Sequence, residues 1–421
     1  MTVTSNEKKR DFSERLTATL NHGALNLAMA LGYKARIFDV MDEFESPETA
    51  SAIADKAGLN GRYVKEWLGV MVSGHIVEWS QSSSGEDQFY LPKEHADLIT
   101  RRAGNSNLGV YMQEIPLLTT CALAPVLRGF STGEGVTYDH YREFYSFMTQ
   151  LADAKHRAVL VEKFLPSVAE GQVLAQLKSG IRVCDLGCAE GTAVLLMAEA
   201  FPRSKFTGID FSSECVEKAR REASGKKLGN VSFLNLDAAR LKDQSNLLEA
   251  FDYVTAFDAI HDQNRPLDAL INVHAILRQG GLFSMVDIAA DSDLSENKDH
   301  PLGPFLYTVS LMHCMPVGLV DGGAGLGMMW GRQKAVKMLE QAGFEAVQVL
   351  NIPDDPFNLH FLCKKSELRD SDFAKDHVDL WRARKRILVC PRLFGGIEIF
   401  VAPIFAQLTV ANRNGHRFDS G

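Results

Sequence analysis

The residues best suited to chemistry stand in one short loop, which begins with an acidic residue and contains two glycines. Residues 185–191 read DLGCAEG and follow an apolar stretch with the length of a strand. Gly187 and Gly191 would let the backbone approach a ligand closely, but their spacing departs from the dinucleotide motif GxGxxG. Asp185 and Glu190 would repel a pyrophosphate. The loop therefore predicts a nucleotide-like ligand that lacks phosphate and carries cationic groups.

Two more aspartates follow the next two predicted strands. Asp210 lies 25 residues after Asp185, close to the spacing at which an acidic side chain reaches a ribose diol. Asp237 follows the third strand, where its carboxylate or the backbone of Ala238 could meet an adenine edge. A single aspartate at such a place caps a helix or forms a turn, but three at successive strand ends favour a ligand site. S-adenosylmethionine, a nucleoside with ammonium and sulfonium groups, fits this description.

Residues 257–262, at the end of the fourth predicted strand, resemble the acceptor side of S-adenosylmethionine-dependent methyltransferases, and this resemblance implies that their side chains face a methyl acceptor. Methyl transfer from a sulfonium is an in-line displacement, so the protein must align both molecules and remove any acceptor proton. The ordinary pKa of His261 suits a base, which predicts a rate that rises through about pH 6 to 7. A structural role for His261, in the loop or as a helix cap, stays open. Asp258 and His313 are the other catalytic candidates, and Phe257 is assigned to the donor site.

These residues require a sheet whose strand ends meet at one edge. From residue 181 onward, apolar strands alternate with helical segments, which predicts an α/β fold with a doubly wound, mainly parallel sheet. The expected strands are 181–184, 205–209, 231–236, 251–257 and 282–288, with a last strand pair after residue 344. Residues 290–330 interrupt this pattern and are long for a connection, so we expect a lid over the acceptor.

The first hundred residues predict a smaller, mostly helical domain. Residues 1–15 are polar and are expected to be flexible. Ser46-Pro47-Glu48 has the form of a helix start, a second helix begins near Asn60, and a hairpin pattern follows it. This order predicts a winged helix over residues 16–100. Residues 1–100 hold 10 basic and 15 acidic side chains, so dimerisation or substrate capping is favoured over nucleic-acid binding.

Residues 101–165 are predicted to form a helical connector. It contains an aromatic cluster, which we interpret as core packing between domains: Tyr138, Tyr141, Phe144, Tyr145 and Phe147. Near the start of the chain, Ala24, Ala28 and Ala30 lie among apolar residues at helical spacing. Small side chains allow two helices to approach closely, which suggests a homodimer.

The region from about residue 180 to residue 365 resembles the class I S-adenosylmethionine-dependent methyltransferases, whose first motif is DxGxxxG, as Asp185, Gly187 and Gly191 are placed. Together with the winged-helix pattern, FDAIHD at 257–262 and HCMP at 313–316 resemble a group of winged-helix-containing small-molecule methyltransferases. The resemblance implies a Rossmann-like, seven-stranded domain over residues 166–365 and S-adenosylmethionine as the methyl donor.

Composition limits the remaining classes of function. The chain has 421 residues and a formal net charge of -8, so it offers little attraction to nucleic acid or anionic lipid. Seven scattered cysteines without a CxxC pair favour a reducing compartment and argue against a metal site. The charged first residues do not form a signal peptide, so we expect a cytoplasmic protein. Residues 366–421 form a tail of unassigned role, and its apolar part, 387–410, is interrupted by prolines and glycines that disfavour a membrane anchor.

Two functions remain open from the sequence. The first is an enzyme that moves a methyl group from S-adenosylmethionine to an O, N or S atom of a small, partly apolar acceptor. The second is a non-catalytic binding or regulatory protein that senses S-adenosylmethionine. Both predict donor binding, so the observation that separates them is acceptor-dependent release of S-adenosylhomocysteine.

Overall fold

The computed structural model describes residues 4–353 and 355–366, and the predicted tail beyond residue 366, with its apolar stretch 387–410, lies outside the described residues. The first hundred residues form a helical domain with a small hairpin. In chain order its elements are α1 (Ser5–Lys34), α2 (Ile37–Asp42), α3 (Ala50–Ala57), α4 (Gly61–Ser73), β1 (Glu78–Gln81), β2 (Asp87–Tyr90) and α5 (Lys93–Ile99). The helix, turn, helix and hairpin of the predicted winged helix are α3, α4, β1 and β2.

The helix α1 begins earlier than its polar sequence suggested. The Thr4 hydroxyl accepts a hydrogen bond from the Glu7 amide, and the Glu7 carboxylate accepts one from the Thr4 amide. This reciprocal pair is a capping box, which supplies hydrogen-bond acceptors to amide groups that have none within the first helical turn. Residues 5–15 are therefore helical, and the flexibility expected of residues 1–15 stays a prediction.

The helix α3 also begins at a different residue from the one predicted. Its N-cap is Thr49, whose hydroxyl accepts a hydrogen bond from the Ala52 amide at 3.2 Å. Glu48 cannot belong to the helix, because its backbone exchanges two hydrogen bonds with Phe89 of β2. The start predicted at Ser46-Pro47 is thus displaced by a strand-like contact, which sequence spacing alone does not reveal.

Two of the three small residues named on α1, Ala28 and Ala30, pack inside this domain, whereas Ala24 is exposed. The Trp67 indole of α4 donates a hydrogen bond from Nε1 to the backbone oxygen of Ala28 at 2.8 Å. A Cβ atom on Gly32 would run into the same indole. Ala28 and Ala30 are buried, so they serve the packing of α1 within its own chain. The exposed face of α1 instead carries five large apolar side chains: Phe12, Leu16, Leu20, Leu27 and Leu31.

A helical connector follows, as predicted. Its helices are α6 (Glu114–Thr132), α7 (Arg142–Val159), α8 (Leu165–Ser167) and α9 (Gln172–Ser179), with a π-helical turn at Leu160–Phe164. By length and composition alone, Gly109–Thr132 would reach across a membrane. One side of α6 is nevertheless buried in a core that it shares with α7 and with residues 290–330, here called the insertion. Leu118 of α6, Phe144 of α7 and Val317 of the insertion belong to this core.

The larger domain is built on a seven-stranded sheet. Its strands are β3 (Arg182–Leu186), β4 (Lys205–Asp210), β5 (Val231–Asn235), β6 (Phe251–Phe257), β7 (Leu277–Ile288), β8 (Glu345–Ile352) and β9 (Asp355–Lys364). The helices between them are α10 (Thr192–Ala200), α11 (Ser213–Gly225), α12 (Pro266–Ile276), α13 (Leu294–Asn297), α14 (Gly303–Val309), α15 (Met315–Gly318) and α16 (Arg332–Gln341). Strand order is β5-β4-β3-β6-β7-β9-β8. β9 runs antiparallel to both β7 and β8, and the pairs from β5 to β7 are parallel. The predicted Rossmann-like, mainly parallel, doubly wound fold is confirmed.

The topology places three loops side by side. β3 pairs with β4 on one side and with β6 on the other, and Leu186 lies opposite both Ile209 and Ala256. The loops that follow these strands therefore leave the same edge of the sheet. In open α/β sheets, ligands bind at the carboxyl ends of the strands where the strand order reverses, and β3 and β6 form that point here.

Candidate active site

The glycine loop is held against the neighbouring strand by its own backbone. The amides of Gly187 and Cys188 donate hydrogen bonds to the carbonyl of Ile209 at 2.8 and 3.1 Å. Gly187 has a φ of +70°, and a Cβ there would lie 2.6 Å from the Cβ of Ala259 in the loop after β6. The sequence predicts that Gly187 lets the backbone approach a ligand, but the first obstacle to a side chain at this position is Ala259.

Gly191, also predicted to bind the donor, is constrained by packing instead. Its φ is +84°, and a Cβ would lie 2.6 Å from the ring of Phe233 and 2.9 Å from Ala219. The residue therefore sets how α10 follows β3 and packs beside β5 and α11. A direct contact of Gly191 with the donor stays a prediction.

Two buried carboxylates lie beneath the glycine loop. Asp185 accepts a hydrogen bond from the Thr255 hydroxyl at 2.6 Å, and burial raises its pKa to about 7, with a further contribution from the charge of Asp210. The carboxylate of Asp210 accepts hydrogen bonds from the amides of Ala189, at 2.9 Å, and Ser212, at 2.8 Å. Burial raises the pKa of Asp210, while these two bonds oppose the increase. A cationic ligand would favour the ionised form of both groups.

The third predicted acidic residue, Asp237, is bound by other residues of the fold. Asp237 accepts a hydrogen bond from the amide of Ala239 at 2.8 Å and pairs with Arg265. This is the capping role that a lone aspartate at a strand end has. Ala238 is buried beside it. Contacts of Asp237 or Ala238 with an adenine edge stay a prediction.

One cavity runs from the glycine loop to the insertion. Five predicted site residues line it, namely Gly187, Asp210, Phe257, Asp258 and His313. The other five, Asp185, Gly191, Asp237, Ala238 and His261, do not lie in its wall. The remaining wall is mostly apolar and comes largely from α7, the connector helix, which supplies Tyr145, Met148, His156 and Val159.

Two members of the aromatic cluster face this cavity. The ring of Tyr138 lies 5.1 Å from Phe211 after β4 and 6.1 Å from His313 in the insertion, measured between ring centres. It therefore bridges the glycine-loop end and the insertion end of the cavity. Tyr145 lines the cavity as well. Core packing, predicted for the whole cluster, is confirmed for the buried Tyr141, Phe144 and Phe147 and for Tyr138, which packs against the same core. Tyr138 and Tyr145 line the cavity, a position that the prediction did not include.

His261 stands behind the cavity wall in a charged cluster. Its Nδ1 lies 2.8 Å from Oδ1 of Asp287 at the end of β7, and its Nε2 lies 3.4 Å from Oδ1 of Asp262. Asp287 Oδ1 also accepts hydrogen bonds from the Trp330 indole at 3.1 Å and the Ile288 amide at 2.8 Å. Burial lowers the pKa of His261, but the charges of Asp287 and Asp262 raise it well above its ordinary value. The rate profile expected near pH 6 to 7 assumed an unshifted pKa for His261, and that profile stays a prediction.

His313 belongs to the same end of the cavity. Its ring lies against Tyr141 and Phe144 at 4.8 and 4.9 Å, and its Nδ1 is 3.5 Å from Sγ of Cys314. Burial lowers the pKa of His313 and raises that of Cys314 to about 12.

Asp258 lies in a separate polar group of the cavity wall. It has a φ of +49°, accepts a hydrogen bond from Asn358, and has Lys155 Nζ at 4.0 Å. Lys155 also forms a 2.6 Å ion pair with Asp355. Burial raises the pKa of Asp258 to about 6, although the positive charge of Lys155 acts to lower it.

Sequence reasoning missed several of these residues. Asp287 gave a signal, because it ends a strand next to the one that leads to His261. Lys155, His156 and Met148 gave none, because they stand in a helix far from the sheet in sequence and reach the site only through tertiary packing.

Comparison with known proteins agrees with this arrangement. Residues 177–351 match the family described as a methyltransferase domain, and residues 23–101 match the Rv2258c-like winged HTH domain. Demethylmenaquinone methyltransferase of Listeria welshimeri is 24% identical over 209 residues, which cover 47% of this chain and 84% of that protein.

Solved structures with a similar fold include human N-acetylserotonin methyltransferase in complex with S-adenosylmethionine. It has 17% identity and a TM-score of 0.58, and the match covers 87% of this chain and 100% of that one. Mitomycin 7-O-methyltransferase has 15% identity and a TM-score of 0.59, with coverage of 86% and 100%. The two matched domains, the confirmed sheet and the acidic glycine loop lead to one assignment. The chain is an S-adenosylmethionine-dependent methyltransferase in which an Rv2258c-like winged helix-turn-helix domain precedes a methyltransferase domain.

Proposed function

We propose that this enzyme methylates a small, partly apolar molecule held between Tyr138, Met148 and the insertion. The observation that carries the proposal is the single cavity, which joins the acidic donor end at Asp210 to the polar end at Asp262 and His313. Apolar walls exclude water and hold a small acceptor in line with the donor methyl group. Among O, N and S, oxygen is favoured, because one structural neighbour is named as a 7-O-methyltransferase.

Each end of the cavity has a separate task. S-adenosylmethionine, bound at the glycine loop, supplies an activated methyl group on a sulfonium. The buried carboxylates of Asp185 and Asp210 favour its positive charge and its ribose hydroxyls. At the other end, Asp262 and His313 line the cavity beside the acceptor. His261 stands behind them and positions Asp262, whose Oδ1 lies 3.4 Å from its Nε2. Asp258 faces the cavity between the two ends and is held by Asn358 and Lys155.

The direct test is acceptor-dependent release of S-adenosylhomocysteine. The full-length enzyme is incubated with donor and a panel of small phenols and hydroxylated heterocycles, and both products are measured by mass spectrometry. Formation of an O-methylated product in equal amount to S-adenosylhomocysteine is the expected result. Tight donor binding without turnover on any acceptor would instead favour a protein that senses S-adenosylmethionine.

A variant of His261 tests the division between the two ends. We expect His261→Ala to lower turnover by roughly 10²- to 10⁴-fold, because it disrupts the acceptor end. The donor dissociation constant should change by no more than about twofold, since His261 lies outside the glycine loop. The matched control is His274→Ala, which removes a histidine of α12 that packs against Phe344. The control should keep the turnover of the wild type. Wild-type turnover in His261→Ala as well would show that His261 takes no part in the reaction.

We also propose that the enzyme is a homodimer that uses the exposed apolar face of α1. Leu20 is 75% exposed and Leu31 is 58% exposed. A row of this kind on one helix is unusual on a monomer and is typical of an association surface. α6 adds the exposed side chains Leu123, Leu127 and Phe130.

Nucleic acid is not proposed as a partner of the winged-helix domain. Many of its basic side chains are already paired with acids: Arg62 with Glu66, Arg101 with Asp39, Arg102 with Asp42 and Asp97, and Lys56 with Glu43. Pairing of this kind leaves little positive charge for phosphates. We further propose residence in the cytoplasm, away from membranes, which is supported by the free thiols of all six cysteines in the described residues.

A further inference from the structure

Three potential metal ligands converge beside the acceptor end of the cavity. One ring nitrogen of His261, one carboxylate oxygen of Asp262 and Sγ of Cys314 all lie within 4.8 Å of one another. They come from two distant segments, the loop after β6 and the π-helical turn Ser310–Cys314 of the insertion. The hydroxyl of Tyr141 donates a 2.7 Å hydrogen bond to the Met312 carbonyl within that turn.

The protein leaves part of this cluster unsatisfied. Oδ1 of Asp262 is buried and makes no hydrogen bond with the described residues, although Nε2 of His261 lies 3.4 Å from it. Nε2 of His313 is also buried and makes no hydrogen bond with the described residues. Unpaired buried polar atoms are costly, so their presence points to a group that would complete them. His261 is also oriented as metal-binding histidines are, because its other nitrogen is held by the carboxylate of Asp287 at 2.8 Å.

We propose that His261, Asp262 and Cys314 bind a divalent transition-metal ion, with zinc as the best match. Nitrogen, carboxylate oxygen and thiolate sulfur are the donor types that zinc takes in proteins. A neutral imidazole, a carboxylate and a thiolate together balance the charge of a 2+ ion. Three protein ligands leave a fourth position, as in catalytic zinc sites. Asp262 lies in the cavity wall, so an ion bound to it would be next to the acceptor end of the cavity.

The sequence argued against a metal because no second cysteine lies near Cys314. The structure supplies a histidine and an aspartate in its place, which come from a segment about 50 residues earlier in the chain. The ligands are therefore distributed in a way that cysteine spacing cannot reveal.

The open position would activate the acceptor, and this use of the ion rests on the proposed function. A hydroxyl oxygen that coordinates the ion loses its proton to solvent, because the positive charge stabilises the alkoxide or phenolate. The oxygen then uses a lone pair to form a bond to the methyl carbon. The carbon–sulfur bond of the donor breaks at the same time, and the sulfur keeps the electron pair as a neutral thioether.

Cobalt replacement tests the site without any assay of activity. The full-length protein is treated with chelator, dialysed, and titrated with Co²⁺ alone. A cysteine ligand produces a thiolate-to-cobalt charge-transfer band in the near ultraviolet, and we expect it to saturate at one ion per chain. Zinc added afterwards should abolish the band, because zinc binds such sites more tightly than cobalt.

Variants assign the ligands. Cys314→Ala and Asp262→Asn should each weaken cobalt binding by at least about 100-fold, and Cys314→Ala should also remove the charge-transfer band. Asp287→Asn should weaken binding by about 10- to 100-fold while retaining the band, because it acts through the orientation of His261. The matched control is Cys363→Ala, which removes a buried thiol of β9 without touching the cluster. Circular dichroism and donor binding confirm that each variant is folded.

The outcomes separate the two proposals. No saturable cobalt site in the wild-type protein, or an unchanged band in folded Cys314→Ala, would overturn the metal site. Undiminished methyl transfer by metal-free enzyme would overturn the activating role of the ion. A specific metal site in a protein that methylates no acceptor would support the site and count against the proposed function.

Discussion

At the scale of single residues, the most specific contact is that of Asp210 with the backbone of the glycine loop. Its carboxylate accepts the Ala189 amide at 2.9 Å and also faces the cavity. We expect Asp210→Ala to weaken S-adenosylmethionine binding by roughly 10- to 100-fold, because it removes a charged hydrogen-bond acceptor and releases the loop. Isothermal titration calorimetry measures the change.

A control for Asp210 is available in the adjoining helix cap. The Ser212 hydroxyl accepts a hydrogen bond from the Cys215 amide at 3.3 Å but does not line the cavity. Ser212→Ala should lower the free energy of unfolding by about 1 kcal/mol, as loss of an N-cap does, and leave donor affinity unchanged. Equal donor affinity in Asp210→Ala and the wild type would show that Asp210 does not contact the donor.

The buried carboxyl of Asp185 predicts a pH dependence of donor binding. Its pKa in the free protein is raised to about 7, so it is mostly protonated below that pH. A cationic donor favours the ionised form, so binding expels a proton and affinity rises with pH up to about 7. Above about pH 7.5 the amino group of the donor begins to titrate, so the measurement is made below that value.

The variant Asp185→Asn separates the contribution of Asp185 from other groups. It keeps a hydrogen-bonding side chain beside Thr255 but cannot ionise, so the pH slope of donor affinity should flatten. Any slope that remains belongs to Asp210, whose pKa is also raised. Donor affinity that is independent of pH in the wild type would contradict this account. The same shift also means that the free protein loses stability as pH rises from about 4 to 7, since the folded form holds the proton more tightly.

The residue scale also shows how far sequence reasoning reaches. Asp185, the two loop glycines and Asp210 could be found from the sequence. Each stands at the end of a strand, where the local sequence pattern also marks the position of the site. The full cluster around His261 could not be found in this way, because Cys314 and Trp330 meet it only when the insertion packs against β6 and β7. Side chains that depend on such long-range contacts leave no spacing in the sequence.

At the scale of elements, α1 makes the clearest prediction. Leu16 and Leu20 lie on its exposed apolar face, while Asn21 lies on the opposite, polar side. The double variant Leu16→Glu/Leu20→Glu should produce monomers, because like charges would face each other at the interface between subunits. Light scattering after size-exclusion chromatography measures the mass. Asn21→Glu is the matched control and should remain a dimer.

Two results of this experiment would contradict different parts of the proposal that α1 forms the dimer interface. A wild-type protein that is monomeric at high concentration would contradict the homodimer. Dimers that persist in the double variant would exclude the exposed face of α1 as the interface and leave the apolar side of α6. Neither substitution touches the cavity, so donor affinity should stay at the wild-type value throughout.

Elements differ in how well their sequence predicts them. The strands β3 to β7 and the helices between them were expected within a few residues, because apolar runs and turns alternate regularly there. The start of α1 was missed because a capping box outweighs a polar composition. The start of α3 was missed because Glu48 is held by β2, a contact that local pattern cannot contain.

At the scale of the whole molecule, the connector joins the winged-helix domain to the active site. Val110 packs against the core of the N-terminal domain and also against the core shared by α6, α7 and the insertion. The hydroxyl of Tyr33 accepts a 2.9 Å hydrogen bond from Asn107 at the same boundary. α7 then lines the cavity with Tyr145 and Met148. Stability gained at the donor site should therefore extend to α4.

Hydrogen exchange in increasing urea tests this coupling in the full-length protein. Donor at about 100 times its dissociation constant should add about 2.7 kcal/mol to the free energy of unfolding. Peptides from α4 and from β6 should show the same increase, because the shared core makes the two domains unfold together. Protection of α4 that is lost at lower urea and does not respond to the donor would mean that the winged-helix domain unfolds independently. In that case the connector would transmit no stability, and changes in α4 should leave donor affinity unaltered.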